Sequence, residues 1–97
     1  MKGADVVRLL REKKDYLRRE FGVKELLLFG SFARGDEGEE SDVDLVVEFF
    51  PEYETFRNYM ALKGYLEELL GRPLDLLVKG GIKRHFLTEI EKEALNV

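Results

Sequence analysis

Two aspartates one residue apart, Asp42 and Asp44 in "SDVDLVVEFF", point to the same side if their segment is a strand, because side chains at i and i+2 share a face there. With alpha carbons about 6.5 Å apart and an effective dielectric of about 20, two such charges repel by about 2.5 kcal/mol. Divalent cations relieve that repulsion. Two magnesium ions about 3.5 to 4 Å apart, shared between carboxylates and phosphate oxygens, are the arrangement used in two-metal phosphoryl chemistry. Asp75, inside "PLDLLV", supplies a third carboxylate, and a charge in so apolar a strand is costly unless it reaches an edge or an open face.

Upstream of the acids, Gly30-Ser31 ends an apolar run and opens a short helical stretch. A chain leaving a buried strand this way exposes backbone N–H groups at the positive end of a helix, ready for phosphate oxygens, and glycine allows close approach. The Ser31 hydroxyl adds a donor. Each piece also has a plainer reading. The paired acids serve equally as edge charges that block sheet-to-sheet association, Asp75 as an ion-pair partner, and Gly-Ser as an ordinary turn. Arg34 reaches a phosphate or a partner, or is a surface arginine after a turn. The acids of "DEGEE" read as a solvated loop, and His85, beside Lys83 and Arg84, reads as a surface residue.

The elements that must hold these residues follow from periodicity. Val6, Val7, Leu9, Leu10, Tyr16 and Leu17 form one face of a helix over 5–20, with Asp5 as N-cap and Gly22 as its stop. "VKELLLF" reads as a buried strand over 23–29, and 42–49 as a second strand ended by Pro51. Thr55 caps a helix carrying Phe56, Tyr59, Leu62, Leu66, Leu69 and Leu70, which Gly71 terminates. "RPLDLLVK" is the third strand, Gly80-Gly81 a hinge, and 82–94 the last helix. The order predicts an α/β (α+β) fold, a small mixed sheet of about three strands with helices packed on one face, in one domain over residues 1–97. "FFPEYETF" carries four aromatics in eight residues, enough to close a core and wall a pocket or meet a partner.

Composition sets limits. Apolar residues at 44% and charged residues at 37% of 97 indicate a folded domain with a densely charged surface. The net charge of -4 speaks against direct nucleic-acid binding, since Lys and Arg must neutralise phosphates there. Absence of cysteine excludes disulfides and thiolate metal sites, and no apolar run approaches the roughly 20 residues of a membrane span. The expected location is cytoplasmic. The cationic side of the first helix, with Arg11, Lys14, Arg18 and Arg19, is a solvated face or a docking surface for an acidic partner.

Gly30-Ser31, ten residues, then Asp42-Val43-Asp44 resembles the G-S-x10-D-x-D signature of the nucleotidyltransferase superfamily that includes DNA polymerase beta and kanamycin nucleotidyltransferase. The fuller "GSFARG…SDVDLVV", the acid in "PLDLL" and the short length are similar to the minimal nucleotidyltransferases, in particular the MntA-type antitoxins paired with HepT toxins, which are HEPN-domain ribonucleases. That resemblance implies the nucleotidyltransferase fold, with Asp42, Asp44 and Asp75 holding magnesium, Asp75 also acting as base, and Gly30 and Ser31 holding the triphosphate. Arg34 is part of the same family pattern. It further implies transfer of AMP from ATP to a tyrosine of a HepT-like toxin, in a hetero-oligomer with that toxin. Two rivals are a non-catalytic module that neutralises its partner by occlusion and a small-molecule nucleotidyltransferase.

Overall fold

A computed structural model describes all 97 residues. Four strands form one mixed sheet, in the spatial order Leu74–Val78, Val43–Phe49, Val23–Phe29 and Leu95–Asn96. Strand β1 (Val23–Phe29) runs antiparallel to β2 (Val43–Phe49), and β2 runs parallel to β3 (Leu74–Val78) through the crossover helix α4 (Phe56–Leu70). The expected mixed sheet is present. A short fourth strand, β4 (Leu95–Asn96), adds to the far edge of β1 and was not expected from the sequence, because two residues carry no periodicity.

The first predicted helix is two: α1 (Gly3–Glu12) and α2 (Lys14–Phe21), separated at Lys13. Neither glycine nor proline marks the break, so the apolar period reads straight through it. Lys2, not Asp5, is the N-cap; Asp5 lies a turn inside and its carboxylate accepts from the Lys2 amide at 2.8 Å. Gly22 stops α2 in the left-handed conformation, with a φ of 63° that favours glycine. Thr55 caps α4, its hydroxyl oxygen accepting from the Asn58 amide at 3.1 Å, and Gly71 ends it. The last helix, α5 (Arg84–Glu93), starts two residues later than its apolar pattern.

Alternation along β2 divides the sheet. Val43, Leu45, Val47 and Phe49 point into the core with Val6, Leu10, Leu17, Leu62, Leu66 and Leu70 from α1, α2 and α4. Each such side chain is worth about 1.5–3 kcal/mol when fully withdrawn from water, so this layer dominates the fold's stability. The opposite row of β2 begins with Asp44, passes through buried Val46 and ends at Glu48. A four-residue helix, α3 (Ser31–Arg34), joins β1 toward β2 and plugs its Phe32 into the core. The aromatic run separates by depth: Phe49 is buried, Phe50 lies under the Arg18 guanidinium at 4.8 Å, and Phe56 is 78% exposed. No helix is long and apolar enough to cross a membrane.

Candidate active site

Strand β1 delivers the chain to Gly30, where φ turns to 74° and the backbone swings into α3. Phe29 is the register partner of Asp44, so Gly30 lands against that aspartate's side chain. A Cβ at position 30 would fall on the Asp44 carboxylate, which is why the corner is a glycine. The Ala33 and Arg34 amides fold back onto the Gly30 carbonyl at 3.1 and 3.0 Å. The Ser31 amide, ahead of that first turn, has no carbonyl of its own helix to serve.

Asp42 lies one residue before β2, and Asp44 is its second residue. Parallel pairing sets Asp44 directly beside Asp75 of β3, with Val43 beside Leu74. Neighbouring residues in such a register share a face, so Asp44 and Asp75 are a cross-strand pair of like charges. Asp42 and Asp75 are exposed, while Asp44 is partly buried. The Asp44 carboxyl is held above its ordinary value, first by burial and then by the charges of Asp75 and Asp42; Glu93 adds to the rise and Arg34 opposes it.

Gly30, Ser31, Arg34, Asp42 and Asp44 line one open depression of about 640 Å³, together with Glu89, Ile90 and Glu93 of α5. Asp75 does not line it and stands at its flank, one strand over. A larger groove of about 1050 Å³ between α1 and α3 holds Arg8, Arg11 and Arg34 but none of the three aspartates, so the acid chemistry belongs to the smaller depression. The three carboxylates are not drawn into a closed metal cage. Their chemistry nonetheless suits magnesium: every donor is a hard carboxylate oxygen, and the crowding on Asp44 is the kind that a divalent cation relieves.

Two residues of the site have no signal in the sequence. Glu93, the last residue of α5, accepts from the Gly30 amide at 3.1 Å and from the Arg34 guanidinium at 3.2 and 3.3 Å. Arg34 is thus held by carboxylates, Asp36 at 3.2 Å as well as Glu93, which keep its guanidinium above its usual value. Arg72 donates to the carbonyls of Glu39 and Ser41 at 2.9 and 3.1 Å, while its guanidinium lies over the Phe32 ring at 5.2 Å. It ties the loop that ends in Asp42 to the helix that follows Gly30. The loop itself is pinned rather than free: the Glu37 carboxylate accepts from the Gly3 amide at 3.0 Å, and the Ser41 hydroxyl from the Gly38 amide at 2.8 Å. His85 is exposed on α5, against Phe86, as expected of a surface residue.

The chain is similar to known proteins over nearly its whole length. The family model described as nucleotidyltransferase domain matches residues 10–96. The protein adenylyltransferase MntA of Thermococcus cleftensis is 37% identical over 93 residues, covering 96% of this chain and 93% of that one. A Methanocaldococcus jannaschii protein provisionally assigned the same activity is 39% identical over 93 residues, covering 95% and 93%. A solved structure provisionally assigned as a minimal nucleotidyltransferase superposes with a TM-score of 0.83 at 33% identity, covering 100% of this chain and 97% of that one. More distant chains share the fold. One, from a toxin-antitoxin crystal structure with AMP-PNP, has a TM-score of 0.69 at 18% identity and 99% and 72% coverage. Another, from a complex of tri-AMPylated Shewanella oneidensis HEPN toxin with MNT antitoxin, has 0.59 at 16% and 97% and 66% coverage.

Proposed function

The chain belongs to the nucleotidyltransferase domain family, among the minimal protein adenylyltransferases of the MntA type, and from that premise we propose that it transfers AMP from ATP to a tyrosine of a cognate HEPN-type, HepT-like toxin and acts as that toxin's antitoxin. The observation that carries this reading is the Asp44–Asp75 pair, left without an internal cation, beside the Gly30-Ser31 corner. The toxin partner is supported by relatives: MntA itself is a protein adenylyltransferase, and the fold recurs in an antitoxin complexed with an AMPylated HEPN toxin.

Asp42, Asp44 and Asp75 would hold magnesium, as their hard carboxylate oxygens suit. When bound, magnesium neutralises phosphate charge and polarises the α-phosphate toward attack. Gly30 and Ser31 hold the triphosphate through backbone amides and hydroxyl, and Arg34 turns its charge to the same oxygens. A tyrosine hydroxyl ordinarily titrates at about pH 10, so it is mostly protonated at neutral pH and needs a base. Exposed Asp75 takes that proton as the phenolic oxygen bonds to the α-phosphorus. The bond from the α-phosphorus to the bridging oxygen breaks, and pyrophosphate leaves with the electron pair.

The test is label transfer with the purified chain, magnesium, the candidate toxin and ATP labelled at either the α- or the γ-phosphate. Expected is α label on the toxin, mapped to a tyrosine and lost with Asp42→Asn. Label from the γ-phosphate would mean a kinase. Neutralisation of the toxin by an Asp42→Asn, Asp44→Asn double variant without any transfer would replace the enzymatic reading with occlusion.

A further inference from the structure

Two of the donors assigned to the triphosphate, the Gly30 amide and the Arg34 guanidinium, are already in use. Glu93 places one carboxylate oxygen between the Gly30 amide and the Arg34 guanidinium, and its second oxygen also faces Arg34. A carboxylate seated on a backbone N–H and an arginine is an anion in an anion's place. We propose that Glu93 is a tethered competitor for the phosphate cradle, one that must swing out before the triphosphate can bind and that thereby sets nucleotide affinity. The inference rests on the nucleotide reading of this site for the identity of the ligand.

Anchoring makes Glu93 a fixed tether. The three residues after Ala94 return along β1: Leu95 and Asn96 pair with Leu28 and Leu27, the Val97 amide donates to the Leu26 carbonyl at 3.0 Å, and the Val97 side chain is buried. The backbone at position 93 is therefore held against the sheet just before that pairing. Its side chain has rotamers to spare and is about one third exposed, so the carboxylate can leave without unfolding the helix. The position is otherwise a poor one for a negative charge, since Glu93 adds to the crowding that Asp44 already feels. It stays because the Gly30 amide and Arg34 hold it. A single N–H cannot serve this carboxylate and a phosphate oxygen fully at once, so binding of one displaces the other.

Calorimetric titration of the full chain with magnesium and either ATP or inorganic tripolyphosphate tests the competition directly, without reference to transfer. For Glu93→Ala both ligands are expected to bind about tenfold more tightly, the gain from removing a self-bound form that occupies about nine molecules in ten. Glu93→Gln is expected to gain less, because its amide oxygen still accepts from Gly30, and it keeps the test available if the alanine variant fails to fold by circular dichroism. Glu89→Gln removes a charge from the same helix one turn earlier, at a residue bonded to Lys92 rather than to the cradle, and should gain less than Glu93→Gln. Equal gains from Glu89→Gln and Glu93→Gln would reduce the effect to net charge and overturn the proposal. Unchanged or weaker binding in both Glu93 variants would overturn it too, making Glu93 a support for Arg34. If neither ligand binds to any of these proteins, the nucleotide reading falls along with the inference.

Discussion

Two pairs of acids face each other across neighbouring strands of the same sheet, and the chain treats them differently. Glu25 of β1 is the register partner of Glu48 of β2, and Asp44 of β2 is the partner of Asp75 of β3. Facing like charges destabilise a sheet in both cases. At the first pair, Lys79 sits 3.9 Å from Glu25 and 3.6 Å from Glu48, and Lys24 lies 3.9 Å from Glu48. At the second there is no such lysine, and the nearby arginine, Arg34, is engaged by Asp36 and Glu93. One end of β2 neutralises its acids from within, and the other leaves them unbalanced. Unbalanced charge, more than charge itself, separates the site from the surface.

The largest effect should come from exchanging charge for amide at the two ends of β2. Asp44→Asn is expected to reduce AMP transfer at least about 10³-fold, the scale of losing several kcal/mol of metal-dependent stabilisation, with no loss of thermal stability because a repulsion is also removed. Glu48→Gln should leave transfer intact. Transfer rates and melting curves of the two variants side by side check the contrast; an active Asp44→Asn protein would break it.

Arg72 comes next, since it holds Asp42 in place without touching the reaction. Arg72→Ala gives up two hydrogen bonds from a charged donor to the Glu39 and Ser41 carbonyls. Such bonds are worth about 1.5–3 kcal/mol each, and with loop ordering taking up part of the loss, transfer should fall about tenfold or more. Lysine restores the charge but not the planar contact with Phe32, so Arg72→Lys should recover only part of it. The discriminating readout is the magnesium concentration for half-maximal rate, which rises if Arg72 positions Asp42 and stays put if the damage is only to stability.

Local signals account for what was legible beforehand. The apolar runs 23–29, 43–49 and 74–78 are strands because each is short, mostly apolar and bounded by turn residues, and Thr55 and Gly71 mark α4 by their own hydrogen-bonding and backbone preferences. The corner at Gly30 and the acids 42 and 44 are legible for the same reason: the spacing lies within one stretch of chain. Glu93 and Arg72 are not, because their meaning depends on partners 63 and 31 residues away in sequence. The same holds for the Asp44–Asp75 register, which only the parallel pairing of β2 with β3 discloses. The break at Lys13 leaves no trace because the faces of α1 and α2 stay in phase.

A smaller effect is the pH dependence that Asp44 brings to its end of β2. Asp44 is raised above 3.8, so the folded chain keeps a proton there at pH values where the unfolded chain has released it. Stability from this group is therefore complete below 3.8 and is lost as pH rises through the folded value. Denaturant titrations without metal should show the wild type losing stability relative to Asp44→Asn across that window. At neutral pH magnesium should raise the wild-type melting temperature and leave that of Asp44→Asn nearly unchanged, because a ligand that binds only the folded form stabilises it. Parallel curves for the two proteins, with and without metal, would mean that neither burial nor the neighbouring carboxylates burden the Asp44 charge and that a cation does not relieve it.

The smallest expected change tests the other side of the comparison. Lys79→Ala strips the Glu25–Glu48 pair of its shared cation and makes it resemble the Asp44–Asp75 pair. These side chains are about one third exposed, so solvent screens the interaction and the cost should be about 0.5–1 kcal/mol of unfolding free energy. Adding Glu48→Gln to Lys79→Ala removes one of the two facing charges and should recover most of that loss, a coupling measurable by a double-mutant cycle in denaturant. Transfer should be unchanged in both proteins, because neither Lys79 nor Glu48 lines the depression that holds Asp42 and Asp44. If instead Lys79→Ala costs nothing and the double variant gains nothing, the lysine bridge is idle, and the absence of a lysine beside Asp44 loses its meaning as a mark of the site.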